Sequence, residues 1–182
     1  MIFEDKLLIW KFRQGNVDAL RQIYDKYKGD LLKLAIALAG DVCLAEDVVQ
    51  DVFVRLAEAH DQISIQGNLK NYLITCLINR IRTLRRDGQR RQAKVSERSG
   101  WEAGALHRPD QWAELNEEMQ LLMGALAQLP MEQRETITLR FEAGLGFRQI
   151  ARIHGVSVNT AHGRYRYGME KLRSLINGEV LR

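Results

Sequence analysis

Apolar residues recur at a 3.6-residue period through long stretches of this chain, and only two prolines, Pro109 and Pro130, interrupt it. That periodicity belongs to amphipathic helices, so the expected fold class is all-α. The chain has 182 residues, 46% of them hydrophobic, which is enough for one ordinary domain or two small ones with packed cores. Nothing in the composition points to wholesale disorder.

Four helices are expected in the N-terminal half. Glu4–Gln14 reads as a short first helix ended by Gly15, after which Asn16 is placed to cap a longer second one. In that second helix Leu20, Ile23, Tyr24, Tyr27, Leu31, Leu34, Ala35 and Leu38 keep to helical spacing until Gly40. A third runs from Leu44 to Ala59, with Ala45, Val48, Val49, Val52, Phe53 and Leu56 on its apolar face. Glu46, Asp47, Gln50, Asp51 and Arg55 lie opposite, and on spacing alone they read equally as a protein-docking face or a solvated surface. The polar loop His60–Asn68 leads into a fourth helix from Leu69, which buries Leu73, Cys76, Leu77, Ile81 and Leu84.

From Asp87 to about Gln111 the periodicity fades into a mixture of charge, Gly and Ser, which reads as a flexible linker. The expected division is a domain over 1–91, a linker over 92–112 and a second domain over 113–178. The second domain opens with a helix over Trp112–Leu126. Pro130 then stands in the first turn of a helix that reaches Ala143. Gly146–Arg173 has the shape of a helix-turn-helix: Ile150, Ala151 and Ile153, then Gly155 at the turn, then Ala161, Tyr165, Met169 and Leu172. Asn159, Thr160, His162, Arg164, Arg166 and Lys171 lie outside that second apolar stripe, and Arg148 precedes the turn. Such residues suit phosphate contacts and base-edge reading in a major groove.

Net charge is only +4, but it is unevenly spread. Six arginines fall within residues 80–91, more than the favourable charge at a helix C-terminus requires, and a second basic stretch spans 148–173. Two basic patches separated by an acidic stretch suggest two grips on one polyanion. Tyr72 is placed to stack on an unpaired base, although a single Tyr is more often part of a core. Cys43 and Cys76 sit in apolar helical contexts and read as buried, reduced thiols. The four histidines are scattered, so no metal site and no cofactor is expected. No nucleophile–base pair or phosphate-cradling glycine loop points to an enzyme. No apolar run is long enough to span a bilayer and no signal-peptide core stands at the N-terminus, so a cytoplasmic protein is expected.

Three segments in order, Ala45–Leu56 (AEDVVQDVFVRL), Asn71–Arg86 (NYLITCLINRIRTLRR) and Leu129–Arg173, resemble the extracytoplasmic-function sigma factors of bacterial RNA polymerase. The resemblance implies a region 2-like helical bundle and a region 4-like helix-turn-helix domain. It places Asp47, Gln50, Asp51 and Phe53 against the clamp helices of the polymerase largest subunit. The loop carrying Gln66 and Asn68, before Leu69 and Tyr72, would capture a base flipped from the melted strand. Asn79, Arg82, Arg85 and Arg86 would hold the minus-ten element. The second domain would sit on the flap of the second-largest subunit and read the minus-thirty-five element through Arg148, Asn159, Thr160, His162, Arg164, Arg166 and Lys171. The implied partners are core polymerase, promoter DNA and an anti-sigma factor. The implied function is promoter recognition and duplex opening, set against a helix-turn-helix regulator that works without being a polymerase subunit. The recognition helix departs from the family's Gly-Thr-Val-basic-Ser-Arg opening: Asn159-Thr160-Ala161-His162-Gly163-Arg164 stands there, with His162 in place of a permanent cation.

Overall fold

The computed structural model describes residues 2–62, 65, 68–96 and 117–180, and the only regular elements among them are helices. In order these are α1 (Ile2–Arg13), α2 (Val17–Ala39), α3 (Val42–Glu58), α4 (Leu69–Ser96), α5 (Glu117–Ala127), α6 (Met131–Phe141), α7 (Phe147–His154) and α8 (Val158–Val180). Most of α1–α4 belongs to one compact unit, and α5–α8 to a second.

Punctuation in the first unit follows local chemistry. Gly15 adopts φ 80°, which lets its own N–H reach Phe12 O (2.9 Å) and the Asn16 N–H reach Lys11 O (3.2 Å), closing α1. Asn16 Oδ1 then accepts the Ala19 N–H at 3.0 Å and starts α2. Ile23, Leu31 and Leu34 of α2, Val48 and Val52 of α3, and Leu73, Leu77 and Ile78 of α4 are buried. Polar clamps fix the helices to one another. Buried Asp5 on α1 accepts from Lys26 Nζ and Tyr27 Oη of α2, both at 2.7 Å. Lys70 at the start of α4 reaches Asp30 of α2 at 2.7 Å.

Two expectations need correction here. Helix α4 does not end where its apolar stripe ends, but continues through Asp87 to Ser96. Arg, Gln, Ala and Lys are good helix formers, so a polar extension of an already nucleated helix needs no buried face. Cys43 is exposed and Cys76 half-buried, because Cys43 lies off the face that carries Ala45 and Val48; no disulfide joins them.

In the second unit Ala125, Leu126, Leu129, Ile137 and Leu172 form the buried cluster, with Tyr165 and Met169 packed against it. Helices α6 and α8 approach closely at Gly168, where a Cβ would lie 2.9 Å from Ile137 Cδ1. Buried Arg134 of α6 donates to Ala127 O and Leu129 O, satisfying carbonyls that the end of α5 leaves open. Residues 97–116, with Gln66 among the other loop and terminal positions, lie outside the described residues.

Candidate nucleic-acid interface

On α3, Asp47, Gln50 and Asp51 share one face by their i, i+3, i+4 spacing. Asp47 and Gln50 are exposed, and Asp51 is half-buried because Arg80 of α4 holds it through Nε (2.6 Å) and Nη2 (2.5 Å). Phe53 is elsewhere. It is 7% exposed and meets Tyr24 edge-on with ring centroids 4.8 Å apart, so it belongs to the core and not to the face the resemblance assigned it. The exposed apolar side chain on that face is Val54, 53% exposed and one turn beyond Gln50 and Asp51. Its solitary position among charged residues gave no sequence signal.

At the start of α4, Asn68 is exposed and acts as a cap: its Oδ1 accepts the Lys70 N–H at 2.8 Å. Gln66 lies outside the described residues. Tyr72 is half-buried and lines a cavity of about 260 Å³ between α3 and α4, with Arg55, Cys76, Asn79 and Arg80. Burial, and then Cys76 beside it, push its phenol up to about 12. Burial likewise raises the Cys76 thiol. This ring is thus half-buried in the wall of the cavity between the two helices, beside Arg55, Asn79 and Arg80. Asn79 and Arg86 are exposed on α4, and Arg82 and Arg85 are half-buried. Asn79, Arg82 and Arg86 fall on one helical face.

The helix-turn-helix closes as its glycine predicts. Gly155 has φ 64°, and the N–H groups of Gly155 and Val156 reach Arg152 O (3.3 Å) and Ala151 O (3.0 Å). Ser157, which sequence reading passed over between two valines, caps α8 by accepting the Thr160 N–H at 3.0 Å. At α7, Gly146 has no side chain to cap with, but Gln149 Oε1 returns to accept its N–H at 2.8 Å. Arg148, Asn159, Thr160, His162, Arg166 and Lys171 are exposed, as expected.

Arg164 is not exposed. It is half-buried, with Nη1 3.2 Å from His154 Nδ1. A guanidinium only donates, so Nδ1 accepts and the ring proton sits on Nε2. That nitrogen lies 3.1 Å from Glu135 Oε2, and both side chains are almost wholly enclosed. The approach is close but lacks hydrogen-bond alignment. Glu135, His154 and Arg164 thus run from α6 through the end of α7 to α8.

Among the described residues no helix is long and apolar enough to cross a membrane, and no group of His, Cys, Asp and Glu could hold a metal ion.

Sigma-70 region 2 matches residues 23–91, and Sigma-70 region 4 matches residues 125–174. An extracytoplasmic-function (ECF) sigma factor, EcfG of Rhodopseudomonas palustris, is 31% identical over 160 residues, covering 87% of this chain and 86% of that one. The chain belongs to the ECF sigma factors of bacterial RNA polymerase. The ECF sigma factor SigL of Mycobacterium tuberculosis is also 31% identical, over 85% of this chain and 86% of its own. Among solved structures, sigma factor RpoE of Bartonella quintana, in complex with the anti-sigma factor NepR, superposes with TM-score 0.69 at 29% identity. It covers 86% of this chain and 96% of that one. This sigma factor therefore carries region 2 as well as a helix-turn-helix, which a regulator working apart from polymerase would not need.

Proposed function

We propose a division of labour in which the exposed face of α3, Asp47 and Gln50 with Asp51 held by Arg80, docks on the clamp helices of core polymerase. The α4 face carrying Asn79, Arg82, Arg85 and Arg86, with the loop of Gln66 and Asn68 before it, holds the melted minus-ten strand. The second domain sits on the polymerase flap and reads the minus-thirty-five groove through α8, with Arg148 on the adjoining phosphates. The domains assigned these tasks span 1–91 and 113–178. The chain supplies binding and no bond chemistry, and works in the cytoplasm beside the polymerase. An anti-sigma factor restrains it, a reading supported by the related RpoE having been solved with NepR.

The observation that carries this reading is the grouping of Asn79, Arg82 and Arg86 on one face of a helix anchored to α3 by Arg80. Unpairing a base costs a few kcal/mol, and cations along the extruded strand offset that cost. The test is promoter opening by core polymerase with the full chain, comparing wild type with Arg82→Ala/Arg85→Ala/Arg86→Ala across a salt series. Losing three single-strand phosphate contacts should flatten the log–log salt slope by about 2. An unchanged slope with unchanged opening removes these arginines from the interface.

A further inference from the structure

The exposed half of α8 offers more polar side chains than can read bases, and the structure separates them. The Thr160 hydroxyl is engaged with Ser157 Oγ at 2.8 Å in the helix cap. Arg164 is drawn inward to His154. Arg166 folds along its own helix, its guanidinium 4.7 Å from the Tyr167 ring centroid and Nη2 3.0 Å from the Tyr167 hydroxyl. His162 differs from all three. It is exposed, and its ring lies over Phe147 with centroids 3.8 Å apart and planes 31° from parallel.

Phe147 is itself held. The Arg140 guanidinium lies 5.3 Å from its ring centroid, and Tyr165 meets it edge-on at 5.3 Å. A side chain held by packing loses less freedom when it binds than a mobile one does. An imidazole N–H donates to purine N7, and to guanine O6, on the major-groove edge.

From this geometry we infer that His162 is a specificity-determining reader on α8, directed at a purine edge, and that Phe147 is its positioning residue. The inference rests on α8 being the helix that enters the minus-thirty-five groove. It moves Arg164, the arginine nearest His162 in sequence, from reading bases to holding the helix from beneath.

The test uses the full chain with bacterial core polymerase and a duplex promoter library randomised over the minus-thirty-five element, read as relative run-off yield per base. His162→Ala should flatten the preference at one or two base pairs by roughly fivefold, within the range that one base contact confers. Phe147→Leu keeps apolar volume but removes the ring face, and should flatten the same base pairs by roughly threefold, the scale of one aromatic pair. Phe147→Tyr should restore the wild-type preference, and the double variant should be no worse than His162→Ala alone. A Phe147→Leu protein that keeps the wild-type preference, loses yield evenly across the library, or flattens different base pairs from His162→Ala overturns the inference. Wild-type protein that starts no RNA from any duplex would instead overturn the promoter-reading assignment beneath it.

Discussion

Phe53→Ala and Gln50→Ala sit one helical turn apart on α3 and should weaken polymerase binding for different reasons. Phe53 is 7% exposed and packs edge-on to Tyr24, so truncation removes a buried ring and leaves a cavity. Such changes cost about 3–5 kcal/mol, a large share of the roughly 5–15 kcal/mol that keeps a domain folded. For a unit of this size, 1 kcal/mol shifts Tm by about 4–8 °C, so the first transition should fall by at least about 12 °C. Core affinity should drop only as far as the folded fraction drops, and cooling should restore it. Gln50 is exposed, so its truncation should alter stability by no more than about 0.5 kcal/mol. It should lower core affinity at every temperature. Circular dichroism melts beside fluorescence-anisotropy titrations with core polymerase separate the two. A Phe53→Ala protein with wild-type Tm and lost core affinity would refute the assignment of that ring to the core.

Asp5→Ala strands the buried Tyr27 hydroxyl and should destabilise the first unit by about 2 kcal/mol in urea unfolding, with less further loss when Tyr27→Phe is added. Arg164→Ala leaves His154 Nδ1 without its donor and should cost the second unit about 1–3 kcal/mol, whereas Arg148→Ala, on an exposed residue, should be near neutral. Alkaline pH should destabilise the fold. Lys26 is raised chiefly by its hydrogen bond to Asp5, while Tyr27 and Tyr72 are raised chiefly by burial. Groups with raised folded values contribute stability that is whole below their unfolded values and is lost as pH rises through the folded ones. The Cys76 thiol, also raised by burial, has the lowest unfolded value of these groups, so the urea midpoint should stay level up to about pH 8 and fall beyond it. A midpoint still level at pH 11 would contradict the raised values.

The helical class, the turn glycines Gly15 and Gly155 and the Asn16 cap were legible because each depends on residues within a few positions of one another. The polar end of α4 was not, because the apolar period that marks a helix in the sequence stops at Leu84 while good helix formers carry the helix on to Ser96. Phe53 is instructive for a different reason. Its spacing with Val49, Val52 and Leu56 placed it on the apolar face, and the family resemblance moved it to the docking face. The structure agrees with the spacing. A family motif fixes where a helix lies along the chain, but which side of it meets solvent follows from the period of the apolar residues.

Arg164 and His162 mark the opposite limit, where spacing within one helix gives no guide. Both lie outside the apolar stripe of α8, and a charge pattern alone gives them the same role. What separates them comes from other elements: His154, at the end of α7, takes the Arg164 guanidinium, and Phe147, at the start of α7, takes the His162 ring. Helix α7 thus holds one polar side chain of α8 inward at its C-terminal end and supports another outward at its N-terminal end. The permanent cation common at the position of His162 would bring long-range charge to the groove. An imidazole seated on a phenyl ring supplies less charge but a fixed direction, and direction is what hydrogen bonding to a single base edge requires. Replacing His162 by Lys should therefore raise affinity for all duplexes alike while reducing discrimination among them, the signature of phosphate contact replacing base contact.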